Sequence, residues 1–501
     1  MNHTAAQRGL SIVEICREIC LCLRTDRSGT REDLASLARC NRAFSDPALD
    51  ALWEQANLLH LLDLIPAIKS LHSRQIVFKV IHPVQDEAWV RFDFYAPRVH
   101  TLDHHCYGYH KSLGEVGKLL QARDRPSFPM LRSIRWGVGH NYPSYRCALS
   151  EVSHFMSSSV RSLTISYSAF PIPDEGEADE ESLTLLESLG SAYPNLREIK
   201  LDEYISRKTL VGFMHSFHNV QSLDLRRLRM DTNSETLHIL STLERLESLS
   251  LSEIYSIVLA SATQPPGFQL LRHLSIEMAD SEGVLYLLRL VSSSSLRSCI
   301  LKDVVASSWR DALTFFRELS RYKMSLTELR VGLNTSGGTL VEFDSDGEMM
   351  TELLGFHHLE ILALEVGYRE FVDGIIPVVD CHEARRIARV WPRLRVMDMA
   401  DSLFAFSLSS FVEFVSNCPN LEEVTVRNVT IGDLSGLELG YRAYRVTHLE
   451  FDVAEDEEYN PMRIADILGD LFPNLIEYDI SYDIEQMMGA IAEEDEGENG
   501  V

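Results

Sequence analysis

The segment Tyr193-Pro-Asn-Leu-Arg-Glu-Ile-Lys-Leu201 restricts how this chain can fold more than any other feature, because versions of it recur along most of the 501 residues. Three apolar positions, spaced as Leu196, Ile199 and Leu201, define each copy. The first of the three falls at Leu131, Val160, Leu196, Val220, Leu246, Leu271, Leu296, Leu326, Leu359, Leu394, Leu421, Val446 and Leu475, at intervals between 24 and 36 residues. Self-similarity at such a period marks a repeat architecture, in which one supersecondary unit is stacked on the next. Five copies carry a proline two residues ahead, at Pro129, Pro194, Pro392, Pro419 and Pro473. A proline there ends the preceding element and turns the chain into an extended one. Between copies the spacing turns helical, as in Leu183–Leu189, Leu210–Phe217, Leu285–Val291, Trp309–Leu319, Ala384–Val390, Phe411–Val415 and Ile464–Leu471. A unit of one strand and one helix cannot bury its apolar face alone, so neighbours must stack.

This is the pattern of leucine-rich repeats, and it predicts a curved α/β solenoid over 128–485. A doubly wound α/β domain also alternates strands and helices but has no reason to repeat this pattern thirteen times. The asparagine usual after the strand of such repeats is missing from most copies. Alternation along each strand puts the residue between the second and third apolar positions on the concave face. These residues are the candidate ligand-binding positions, among them Arg135, Thr164, Lys200, Asp224, Arg330, Asp398, Glu450 and Asp479. The last strands add Glu423, Asp452 and Glu477, an acidic end suited to a basic stretch of a partner.

Composition excludes several classes. Hydrophobic residues at 45% and charged residues at 24% belong to a folded chain. No apolar stretch reaches the length of a membrane span, and Leu10–Leu23 is interrupted by Glu14, Arg17 and Glu18, which suits an amphipathic helix rather than a secretory signal. Nine cysteines with no Cys-x-x-Cys pair argue against a disulfide framework and a zinc finger, and most are expected as small buried apolar residues. A net charge of −27 disfavours nucleic acid and anionic membranes as partners. Part of that charge lies in Asp174–Glu181, expected as a solvated insertion, and in Glu493–Asn499, expected within a disordered acidic tail over 486–501. The chain reads as cytoplasmic or nuclear. His100, His104, His105, Cys106 and His110 match no zinc spacing and are expected in a linker, without metal. No phosphate loop, dinucleotide fingerprint or Gly-x-Ser-x-Gly is present, so neither cofactor nor catalysis is expected.

Residues 10–60 lack the repeat. Ile12, Ile15, Ile19 and Leu23 have helical spacing; a polar connection covers 25–31; a second helix runs from Asp33 through Leu34 and Leu37 to Phe44. Ser45-Asp-Pro47 reads as a turn, with Pro47 at the first position of a third helix, Ala48–Trp53. Over 66–127, expected as a connecting segment or an irregular first repeat, Ile76–Ile81 and Trp89–Tyr95 read as strands.

Glu14–Ile19, Asp33–Cys40 and Ala43–Trp53 together resemble an F-box, in a wording similar to F-box proteins of mushroom-forming fungi. The resemblance covers about fifty residues, residues 1–65 being assigned to this module. It departs from the family at Val13, where proline is usual, and in its long loop at 25–32. It implies a module docked on the Skp-type adaptor of a cullin ubiquitin ligase, with the repeats recognising a protein substrate and no catalysis in this chain. The candidate adaptor-binding residues are Ile12, Ile15, Ile19, Leu34, Leu37, Phe44, Pro47, Leu49 and Trp53, since small helices can offer apolar side chains to a partner. Val13 favours the alternative, a repeat scaffold or regulator outside ubiquitination.

Overall fold

Every copy of the apolar pattern forms a strand that starts two residues after its first apolar position. The computed structural model describes residues 13–25, 31–72, 76–81, 84–106, 113–139, 145–168, 180–202, 212, 214, 216–226, 234–255, 267–335, 348–367, 378–399, 405–431, 442–453 and 460–480. It comprises two compact units, Met1–Met230 and Asp231–Val501.

Unit 1 opens with three helices, α1 (Val13–Thr25), α2 (Arg31–Cys40) and α3 (Arg42–Trp53). Asn41 caps α3 by accepting from the Ala43 N–H, which ends α2 earlier than the expected Phe44 and starts α3 earlier than the expected Ala48. Pro47 therefore lies inside α3, not at its start, and its missing N–H leaves the Ala43 carbonyl without its helical donor. The chain then forms β1 (Gln55–Asn57), an antiparallel hairpin of β2 (Ile68–His72) and β3 (Ile76–Val80), β4 (Thr101–Cys106), β5 (Ser133–Gly139), β6 (Ser162–Ser168), β7 (Glu198–Asp202) and β8 (Ser222–Leu225). Apart from the hairpin these strands make one parallel sheet in chain order, β1-β4-β5-β6-β7-β8.

Two findings in this unit correct the sequence reading. Trp89–Tyr95 is helical, not a strand: Trp89, Phe92 and Ala96 are buried at helical intervals while Val90 and Phe94 face solvent. The histidine-rich stretch is no linker but the strand β4, a copy of the repeat that the sequence disguises. Val99, Leu102 and His104, all fully buried, occupy its three apolar positions, and His104 packs against the Trp136 ring at 4.3 Å between centroids. Alternation sends His104 inward and His105 outward; His110 lies outside the described residues.

Unit 2 repeats the scheme with β9 (Ser248–Ile254), β10 (His273–Asp280), β11 (Ser298–Ala306), β12 (Glu328–Thr335), β13 (Ile361–Gly367), β15 (Val396–Met399), β17 (Glu423–Val429), β18 (His448–Val453) and β19 (Glu477–Ile480) in one parallel sheet. The pair β14 (Val378–Val379) and β16 (Ala405–Phe406) stands apart. The expected helices form: Glu180–Ala192 in unit 1, and Ser281–Leu290, Trp309–Leu319, Cys381–Val390, Leu408–Asn417 and Pro461–Leu471 in unit 2. Leu210–Phe217 falls largely outside the described residues, as do the acidic runs, except that Glu180 and Glu181 open a helix.

The register is set by backbone bonds that recur with the repeat. Within each unit the carbonyl after the first apolar residue of a copy takes two N–H groups from the next copy, as Arg132 O does from Arg161 at 2.8 Å and Ser162 at 3.0 Å. An asparagine ladder also exists, but ahead of the strands: Asn195 donates to Ser158 O and Asn219 to Pro194 O in unit 1, Asn420 to Pro392 O and Asn474 to Tyr444 O in unit 2. The Pro-Asn step thus ends one element and ties its copy to the one before. All apolar positions of the first twelve copies are buried; at the last, Tyr478 is 38% exposed. Cys16, Cys20, Cys299 and Cys418 are buried, and burial pushes the Cys299 thiol up to about 12, so it packs as an apolar side chain; Cys22, Cys40 and Cys381 are exposed. Among the described residues no helix is long and apolar enough to cross a membrane.

Candidate functional site

The helix α1 faces two ways. Cys16 and Cys20, one turn apart, enter a small core with Leu34, Phe44, Ala48 and Ala51, and Ile19, Leu23, Leu37 and Leu52 pack around it. Burial, then the neighbouring Cys16, raises the Cys20 thiol, so it stays protonated and acts as packing. Outside that core α1 exposes Val13, at 52%, and, on a different side, Ile15, at 41%. Glu14, Ile15, Glu18, Ile19, Cys22 and Leu23 line an open, largely apolar hollow of about 440 Å³.

The structure separates the nine candidate docking residues. Ile15 and Ile19 share this outer surface of α1, joined by Cys22 and Leu23, which the sequence reading did not choose. Leu34, Phe44 and Pro47 are buried within the module, Leu37 and Leu49 are half-buried, and Ile12 lies outside the described residues. Trp53 stacks on Tyr95 with ring centroids 4.6 Å apart. The signal for the missed positions was the i, i+3, i+4 relation of Ile15, Ile19 and Cys22 on one helix.

The module is tied to the sheet of unit 1 by three arginines. Arg24 pairs with Glu54. Arg31 donates to the carbonyls of Leu52 at 3.2 Å and Gln55 at 3.3 Å. Arg98, just ahead of β4, bridges Asp46, at 2.8 Å, and Asp50 of α3, with its guanidinium 5.1 Å from the Phe94 ring centroid. Burial opposes its charge, but the two carboxylates prevail and hold it above its ordinary range.

The second candidate surface is the open face of each sheet. In unit 1, Asp103, Arg135, Thr164, Lys200 and Asp224 stand in register on adjacent strands. Asp103 accepts from Gln55 Nε2 at 2.6 Å and lies 3.9 Å from Arg135. Asp224 lies 3.4 Å from Lys200 and accepts from Arg226 Nε at 3.0 Å and Nη2 at 2.7 Å. Burial works against the Asp224 charge, but these donors hold the carboxyl below its usual range. Gly137 leaves room for His105 on this face, since a Cβ there would stand 2.5 Å from His105 Nδ1.

In unit 2, Arg330 Nε donates to Glu328 at 2.9 Å. Asp398 and Glu450 are half-buried, and Asp479, Glu423, Asp452 and Glu477 are exposed. The acidic end is not purely acidic: Arg427 reaches Glu450, and His448 Nε2 stands 3.2 Å from Glu477. Arg427 and His448 lie on the same strand face as the acids, two residues from the central positions that the sequence reading chose.

No protein-family model matches the chain, and no curated protein matches it. Among solved structures it is similar to the crystal structure of the Rad7 and Elc1 complex in yeast, at 13% identity and a TM-score of 0.33, over 94% of this chain and 88% of that one.

Proposed function

We propose that this chain is the substrate-receptor subunit of a Skp-cullin-F-box type ubiquitin ligase, cytoplasmic or nuclear, in which α1–α3 dock on the Skp-type adaptor, and through it on the cullin, while the repeat sheets bind a protein substrate. The observation that carries this reading is the outer side of α1. A module whose core is already filled by Cys16, Cys20, Leu34 and Phe44 still holds Ile15, Ile19, Cys22 and Leu23 along one side of α1. Exposed apolar side chains gathered beside a hollow mark an interaction surface. The chain contributes no catalytic step on this reading. It raises the effective concentration of substrate near a conjugating enzyme bound elsewhere in the assembly.

The outer surface of α1 also supplies the test. Glutamate at position 15 puts a charge into the proposed interface while leaving the inward side of α1 intact. Ile15→Glu is expected to weaken capture of a co-expressed Skp-type adaptor by about 30-fold or more, the range of a hot-spot residue, with an unchanged melting curve. Capture equal to wild type would sink the assignment of this surface.

A second reading, a repeat scaffold whose helical module only caps the sheet, is favoured by the path of the chain from α3 into β1. Trp53, Ala56 and Leu58 continue the positions of Val99, Leu102 and His104, and Ala56 and Leu58 are fully buried. On that reading Ile15→Glu changes nothing, and the adaptor does not bind the wild type either.

A further inference from the structure

We propose that the open face of unit 1 holds an oxyanion site built from Arg135, Thr164 and Lys200, and that its occupant is an acidic side chain of an extended polypeptide. The inference rests on the reading of the repeat sheet as the ligand-binding part of the chain and is independent of adaptor docking.

The three residues sit on β5, β6 and β7 as direct Cα partners, so a guanidinium and an ammonium flank one hydroxyl. Strand spacing places the Arg135 and Lys200 backbones about 10 Å apart. Two long side chains reaching inward from that separation can close on a single carboxylate or phosphate, with the threonine hydroxyl as a third donor.

The counter-charges stand beside the cations on the outer strands and are less exposed than they are. The side chains of Asp103 and Asp224 are 12% and 17% exposed, against 49% for Arg135, 39% for Lys200 and 37% for Arg226. Each carboxylate fixes the cation beside it and leaves that cation open to solvent. Ser133, Ser162 and Ser166 add half-buried hydroxyls on the same face. Among the described side chains of these rows the only exposed carboxylate is Glu198, two residues before Lys200.

Charge complementarity selects the occupant. The chain as a whole carries −27, so three solvent-facing cations on one sheet are the reverse of its average surface. A lysine-rich segment would meet them head on, whereas glutamate, aspartate or phosphoserine would be drawn in.

Fluorescence anisotropy with the purified full chain, without adaptor, provides the test. The probes are labelled ten-residue peptides in which glycine alternates with glutamate, phosphoserine or lysine. At least one anionic peptide should bind saturably and more weakly as salt is raised, and the lysine peptide should not bind. Arg135→Gln and Lys200→Gln should each lower the affinity about tenfold or more, with unchanged circular dichroism, and Thr164→Val should lower it less. Tighter binding of the glutamate peptide identifies carboxylate as the natural group; tighter binding of the phosphoserine peptide identifies a modified side chain. The proposal is overturned if neither anionic peptide binds, if the lysine peptide binds as well as they do, or if both glutamine variants bind like wild type.

Discussion

Gly332→Ala is expected to destabilise unit 2 by about 3 kcal/mol or more, read as a lower urea midpoint in the transition of that unit. The cause lies in the adjoining strand. The pairing of β11 with β12 shifts register between Leu301 and Val304, and the backbone of Lys302 leans toward β12 at that irregularity. A Cβ on residue 332 would stand 1.9 Å from the Lys302 carbonyl oxygen and 2.9 Å from its carbonyl carbon. Backbone on both sides cannot rotate out of the way as a side chain would, so β11 and β12 must separate. The flanking residues Leu301, Val331 and Leu333 are buried, and any separation opens the core at those positions. A midpoint within error of wild type would show that the bulge relaxes freely.

Leu34→Asp is expected to unfold the helical module, while Ile15→Glu leaves it folded, although both should lose the adaptor. Leu34 is 2% exposed among Cys16, Cys20, Phe44, Ala48 and Ala51, and the described residues of that core include no cation to pair with a carboxylate. Burying an unpaired charge is one of the few ways a single substitution exceeds about 4 kcal/mol, and a unit of some fifty residues has little stability to spare. Limited proteolysis should therefore cut Leu34→Asp within α1 to α3 and leave Ile15→Glu resistant there. Equal resistance of the two variants would mean that Leu34 is not a core residue of a packed module.

Much of this architecture was legible because burial in a stacked repeat imposes the same demand at the same place in every copy. Leu271, Leu274 and Ile276 announce β10 without reference to any other part of the chain. The copy at β4 was legible only as a possible irregular first repeat because His104 stands where an aliphatic residue is usual, and its burial against Trp136 depends on a ring more than thirty residues away in sequence. The stretch around Phe92 was ambiguous in principle. Val90, Phe92 and Phe94 satisfy strand alternation, while Trp89, Phe92 and Ala96 satisfy helical spacing, and only tertiary packing decides between them. The start of α3 turned on Asn41, a capping signal weaker to the eye than Pro47.

The candidate surfaces were less legible than the fold. Periodicity separates inward from outward positions on one helix but does not say which apolar residues the rest of a small module will cover. Ile15 and Leu34 look alike in sequence; the first is exposed because α2 and α3 pack against the opposite side of α1, and the second fills the space between them. On the sheets, the electrostatic character of the central position of each strand came from residues two positions away. Arg226 makes Asp224 an anchor rather than a free acid, and Arg427 does the same for Glu450.

Hydrogen–deuterium exchange on the full chain, with and without a purified Skp-type adaptor, tests docking through α1 most directly. Adaptor binding should slow exchange over Val13–Thr25 and the adjoining turns of α2 and α3, leave β9 to β19 unchanged, and show no such protection in Ile15→Glu. Absence of a complex with the wild-type chain, or protection confined to the repeat sheets, would contradict it.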